Sequence, residues 1–92
     1  FRNPYTKHDK DDDHKIRIEL SEEVSFLNKA SVSKALEDLE EGTEVVIDGS
    51  KSKYIAYDVI ERIQEFKEFT APTKDITVGL IDISEDKTKR KN

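Results

Sequence analysis

Six consecutive residues, Asp48-Gly49-Ser50-Lys51-Ser52-Lys53, bring two hydroxyls and two lysines together ahead of a segment with helical periodicity. Hydroxyl and ammonium donors beside a helix N-terminus are the equipment of an anion site. The string lacks the glycine spacing of a phosphate-binding P-loop, so nucleotide hydrolysis has no support. Its plainest reading is a polar surface loop closing a βα unit. Tyr54 and Tyr57 follow the loop and read as binding anchors or as partly buried packing.

A second cluster places His8 and His14 around Asp9, Asp11, Asp12 and Asp13. Imidazole beside carboxylates is metal-ligand chemistry, but a specific site needs ligands held on a rigid frame. The surrounding segment reads as an irregular acidic linker, so no metal site and no cofactor is expected. No nucleophile stands near a histidine in a recognisable pattern, which leaves serine-histidine-aspartate catalysis without support. Glu61 and Glu65 fit the wet face of an amphipathic helix better than an acid-base pair. Lys87, Lys89, Arg90 and Lys91 read as a solubilising end rather than a lipid contact.

The elements that would position these residues follow from hydrophobic patterning. Residues 1–13 carry a proline and dense charge and are expected to be a flexible linker. The mixture of Phe1, Arg2 and Tyr5 is also common where a membrane helix emerges on the cytoplasmic side. Ile16, Ile18 and Leu20 alternate with Arg17 and Glu19, the period of a half-buried strand. A second strand over residues 24–27 is expected to pair with it as an antiparallel hairpin.

Asn28 suits an N-cap. After it, Val32, Ala35, Leu36 and Leu39 form a helical stripe closed by Gly42. Val45, Val46 and Ile47 predict a strand covered on both faces. A second helix is expected over residues 57–69, burying Val59, Ile60, Ile63 and Phe66 and ending at Ala71-Pro72. Residues 76–83 predict a last strand, and residues 85–92 a disordered charged tail. The order β-β-α-β-α-β predicts an α/β fold with one mixed sheet and its helices mainly on one face.

Bulk properties bound the function. The chain has 92 residues, room for one small domain with a thin core. With 34% hydrophobic and 40% charged residues it reads as a soluble surface around that core. No apolar run approaches the roughly 20 residues a membrane helix needs. The absence of cysteine fits a reducing compartment. A formal net charge of -5 argues against nucleic acid as a partner. The chain opens at Phe1 and contains no methionine, which reads as a piece of a longer polypeptide.

Two strings go beyond generic patterning: Val-Ser-Phe-Leu-Asn-Lys-Ala from Val24, and Val-Val-Ile-Asp-Gly-Ser-Lys-Ser-Lys-Tyr-Ile-Ala-Tyr-Asp-Val-Ile from Val45. Both resemble the STAS domain that ends bacterial SulP (sulfate permease) anion transporters. The likeness implies a STAS domain over residues 14–84, on the cytoplasmic face of the bacterial inner membrane. It also implies a non-catalytic regulatory or dimerising role for a carrier of sulfate, bicarbonate or a similar anion. Expected partners are the membrane domain of the same polypeptide, a second copy, or a cytoplasmic regulatory protein.

The family's other branch, the anti-sigma-factor antagonists, opens the second helix with an Asp-Ser-Ser-Gly motif whose second serine is phosphorylated. The corresponding positions here are Ala56, Tyr57, Asp58 and Val59, so Asp58 stands where that serine would be. The resemblance therefore favours the transporter branch. The alternative is a free-standing antagonist-like signalling protein that lacks the switch. A first-turn carboxylate such as Asp58 also complements the helix dipole. A further helix that many STAS domains carry after the last strand has no counterpart in residues 84–92.

Overall fold

Ile18 and Leu20 are buried while Arg17 and Glu19 are only half-buried, because the strand that carries them has helices on one face. The structure, a computed structural model, describes residues 3–9 and 14–90. This strand, β2 (Lys15–Leu20), follows β1 (Tyr5–Asp9), with which it pairs antiparallel from Tyr5–Leu20 to Asp9–Ile16. β3 (Glu23–Val24) is a two-residue strand, and after it α1 spans Lys29–Glu37 and β4 Glu44–Asp48. A second short strand, β5 (Tyr54–Ile55), precedes α2 (Tyr57–Glu65), and β6 is Thr77–Ile81.

The main sheet has the order β1-β2-β4-β6, with β2, β4 and β6 mutually parallel. The short strands β3 and β5 form a separate parallel pair. Val32, Leu36 and Leu39 around α1 and Val59, Ile60, Ile63 and Phe66 around α2 bury against Ile18, Leu20, Val45 and Ile47. That one-sided cover yields the mixed α/β architecture expected from the pattern.

Several local expectations are corrected. Residues 1–13 do not form an irregular leader throughout, since Tyr5–Asp9 is a strand of the main sheet. It lacked a signal because it is an edge strand with Thr6, Lys7 and Asp9 exposed, where no apolar alternation is required. The antiparallel partner of β2 is therefore β1, and residues 24–27 are no hairpin strand. Ser25 instead caps a 3-10 turn over Phe26–Asn28: its Oγ accepts from the Leu27 N–H, while Asn28 Oδ1 accepts from the Ser25 N–H. Asn28 serves that turn, and its side chain makes no cap bond to α1.

α1 stops at Glu37, earlier than Gly42, through a tightened last turn in which the Leu39 N–H donates to the Leu36 carbonyl. Lys74 Nζ then donates to the Glu37 and Leu39 carbonyls, supplying donors that a glycine cap would have provided. Gly42 has φ +84 and shapes the following turn, its N–H donating to the Lys74 carbonyl. β4 is central, but Val46 is only half-buried, because its face carries no helix.

The second helix does not end cleanly at Ala71-Pro72. α2 passes into a π-helical segment, Phe66–Thr70, and a 3-10 segment, Ala71–Lys74, before Asp75 turns the chain at φ 55. Residues 85–90 are not a free tail. Glu85–Thr88 forms a 3-10 turn, and Lys87 Nζ lies 3.0 Å from Asp82 and donates to the Ser52 carbonyl at 2.7 Å. The Arg90 guanidinium stacks 3.9 Å from the centroid of the Tyr54 ring and pairs with Glu23.

Candidate functional site

The loop from Asp48 to Lys53 leaves the C-terminal end of the central strand β4, the end of a parallel sheet where ligands usually bind. Its shape is set by close contact. The Gly49 N–H donates to the Ile81 carbonyl at 2.8 Å, and a Cβ at Gly49 would lie 2.7 Å from Ile83 Cδ1 and 3.0 Å from the Asp82 carbonyl oxygen. Only glycine fits this approach. Asp48 then folds back, its Oδ1 accepting from the Ser50 N–H at 2.9 Å.

The loop's polar groups are almost all engaged within the fold. Ser52 is buried, and its Oγ donates to the Ser21 carbonyl at 2.6 Å. The Lys53 and Tyr54 N–H groups both donate to the Glu22 carbonyl. Lys51 Nζ lies 3.1 Å from Glu19, and Lys53 Nζ 4.0 Å from Glu22. The cations suggested for an anion thus already face carboxylates.

On the uncovered sheet face these pairs extend into a network. Arg17 bridges Glu19 at 3.2 Å and Asp48 at 3.3 Å, and His8 Nε2 lies 3.6 Å from Glu19. The Lys51 and Arg17 hydrogen bonds hold the Glu19 carboxyl below its ordinary value. Hydrogen bonds from Ser50, reinforced by Arg17, do the same for Asp48.

Tyr57 and Asp58 occupy the first turn of α2, and both are exposed. No side chain caps this helix, and Asp58 supplies its only first-turn acid. The Ala56 N–H donates to the Val24 carbonyl at 2.8 Å, so the start of α2 is tied to the strand immediately ahead of Ser25. That bond places the 3-10 turn Phe26–Asn28 beside α2. Phe26, Leu27 and Tyr57 are 65%, 67% and 56% exposed, the first two on the 3-10 turn and the third in the first turn of α2. Sequence reasoning missed Phe26 and Leu27 as surface residues, because it placed them in a strand. The serine three positions before Asn28 was the available signal for a capped turn.

Of the residues considered for a metal, His8 sits in β1 against Glu19, and His14 lies at the start of β2 with φ 62. Asp11, Asp12 and Asp13 fall outside the described residues. Among the described residues no histidine, aspartate and glutamate group is arranged to hold a metal ion. A hollow of about 360 Å³ lies at the other end of the sheet, lined by Lys7, Asp9, His14, Lys15, Asp38 and Glu40 among others. It is distant from the loop and contains none of its residues.

No family model matches the chain, and no curated protein matches it. A solved structure described as "Crystal Structure Analysis of Mglu" superposes with a TM-score of 0.70 at 20% identity, over 84% of this chain and 19% of that one. The likeness supports the fold, a small mixed α/β domain. This chain spans about a fifth of the length of the protein it matches. No helix among the described residues is long and apolar enough to cross a membrane.

Proposed function

We propose that this chain is a non-catalytic, STAS-like interaction module that regulates or dimerises a SulP-type carrier of sulfate, bicarbonate or a similar inorganic anion. The observation that carries an interaction role is the exposure of three large apolar side chains on two neighbouring elements, Phe26 and Leu27 on the 3-10 turn and Tyr57 at the start of α2, taken here as one patch. Aromatic anchors of this kind carry a large share of the energy of protein interfaces. The adjacent loop supports the same reading, because its hydroxyls and lysines are committed to internal partners. The link to an anion carrier rests on the sequence resemblance of the strings starting at Val24 and Val45.

The same patch would serve a free-standing antagonist-like signalling protein. The coding sequence around this chain separates the two readings. A SulP carrier requires several hydrophobic spans of about 20 residues ahead of Phe1; an open reading frame without them would contradict the transporter assignment. Within a carrier, replacing Phe26, Leu27 and Tyr57 by serine is expected to alter anion flux without unfolding the domain. Unaltered flux would refute a role for the patch.

Asp58 is read as a helix-dipole complement rather than a permanent phosphate mimic. Asp58→Ser and Asp58→Asn are accordingly expected to leave that flux unchanged. A flux that changes with loss of the charge would support the mimic instead.

A further inference from the structure

β6 closes the main sheet on the side away from β1, and its outer edge has unmet main-chain groups. The Thr77 N–H donates to the Thr43 carbonyl and the Ile81 carbonyl accepts from the Gly49 N–H, so Thr77, Gly79 and Ile81 direct their main-chain groups toward β4. By the alternation of a strand, Val78 and Leu80 direct theirs outward, and among the described residues nothing pairs with them. The Val78 and Leu80 side chains pack against the core but are only half-buried, and Ile81 on the open face is 46% exposed. The opposite edge is defended, because β1 carries Lys7, His8 and Asp9, groups that oppose an added strand. β6 reads Thr77-Val78-Gly79-Leu80-Ile81 and carries no charge.

Charges stand around this edge rather than on it, and the unengaged ones are acidic. Glu44 lies beside Thr77 in the register of β4 with β6, and Asp75 turns the chain two residues ahead of Thr77. Both are exposed, and neither has an ion pair among the described residues. At the other end Asp82 is exposed, with Lys87 3.0 Å away. The neighbouring lysines are committed internally: Lys74 Nζ donates to the Glu37 and Leu39 carbonyls, and Lys87 Nζ to the Ser52 carbonyl.

We infer that β6 is a docking edge for an extended segment of a partner protein, a stretch of alternating apolar residues bounded by lysine or arginine. The unmet main-chain groups select the extended form, because a strand presents donors and acceptors at the spacing of Val78 and Leu80. Their half-buried side chains select apolar residues on the core side of the added strand. Glu44, Asp75 and Asp82 select basic flanks, and a net charge of -5 repels an acidic segment and a second copy alike. This edge is separate from Phe26, Leu27 and Tyr57, and its chemistry is the same whether or not the chain serves an anion carrier.

The probe is a capped synthetic peptide, Lys-Thr-Val-Thr-Val-Thr-Lys, with Glu-Thr-Val-Thr-Val-Thr-Glu as its counterpart, titrated into isotope-labelled chain and followed by amide NMR and hydrogen exchange. The lysine peptide is expected to shift the Val78 and Leu80 amides and slow their exchange, since these N–H groups acquire acceptors. The Thr77, Gly79 and Ile81 amides, directed toward β4, are expected to change less. Its Kd is expected to be roughly tenfold lower than that of the glutamate peptide, and the gap to narrow in high salt. Val78→Pro removes an outward N–H and no bond to β4, so it is expected to abolish binding while the circular dichroism spectrum is retained. Glu44→Gln with Asp75→Asn is expected to shrink the preference for lysine. That pair keeps the fold, since asparagine tolerates the φ of 55 at residue 75, and it gives an independent readout should proline disturb β6. Val78 and Leu80 amides untouched by the lysine peptide, equal affinity for the two peptides, or binding that survives Val78→Pro would each overturn the inference. So would protection of the same amides that rises with protein concentration in the absence of peptide, which would assign the edge to a second copy.

Discussion

The loop from Asp48 to Lys53 and the patch of Phe26, Leu27 and Tyr57 lie side by side at the start of α2, and they have opposite economies. In the loop nearly every polar group has an internal partner: Ser52 with Ser21, Asp48 with Ser50 and Arg17, Lys51 with Glu19. In the patch, three large apolar side chains have given up little of their surface to the fold. The residue types that suggest chemistry are thus the ones spent on architecture. The side chains that look like ordinary core are the ones left exposed.

The sharpest way to break this comparison is at Gly49. An added Cβ meets Ile83, Ile55 and, at 3.0 Å, the Asp82 carbonyl, which cannot move without disturbing the end of β6. Gly49→Ala is expected to destabilise by about 2 kcal/mol, a fall of roughly 10 °C in Tm by calorimetry. A neutral result would mean that the loop is not a packed structural element.

Next in size is Ser52→Ala, which leaves the Ser21 carbonyl without its buried donor. It is expected to cost about 1 kcal/mol in urea unfolding. A smaller effect is expected from pH. Glu19 and Asp48 are more acidic in the folded chain than in the unfolded one, so each adds stability above the ordinary carboxylate range. That contribution fades as pH falls below about 4, toward their folded values. Asp48→Asn is expected to flatten the fall in Tm between neutral and acidic pH; an unchanged slope would show that the Ser50 and Arg17 bonds to the Asp48 carboxylate add nothing. The smallest effect on stability belongs to the patch. Replacing Phe26, Leu27 and Tyr57 by serine is expected to stay within about 0.5 kcal/mol of wild type for each substitution.

The contrast also explains what could be read from the sequence. The core faces of β2, β4 and α2 were legible, because Ile18, Leu20, Val45, Ile47, Val59, Ile60, Ile63 and Phe66 repeat at the periods their elements demand. β1 was not, since an exposed edge strand needs no apolar period and its pairing is decided by β2. The pair β3–β5 was too short, at two residues each, for any period to register. The end of α1 depends on Lys74, thirty-five residues after Leu39, a contact that local cap rules do not contain. At the site, the location of the loop at the end of β4 and of Tyr57 and Asp58 in the first helical turn was legible from the order of elements. The internal use of Ser52, Lys51 and Lys87 was not, because each partner is remote in sequence.

The central claim, that the exposed patch acts on an attached anion carrier, is tested most directly by anion flux. Uptake of labelled sulfate and of bicarbonate would be measured in proteoliposomes holding the complete gene product, intact or with Phe26, Leu27 and Tyr57 all changed to serine. The account predicts uptake of one of these anions and a clear change in its rate in the variant, with the Tm of the domain preserved. No uptake of either anion, or identical rates in the two proteins, would contradict it.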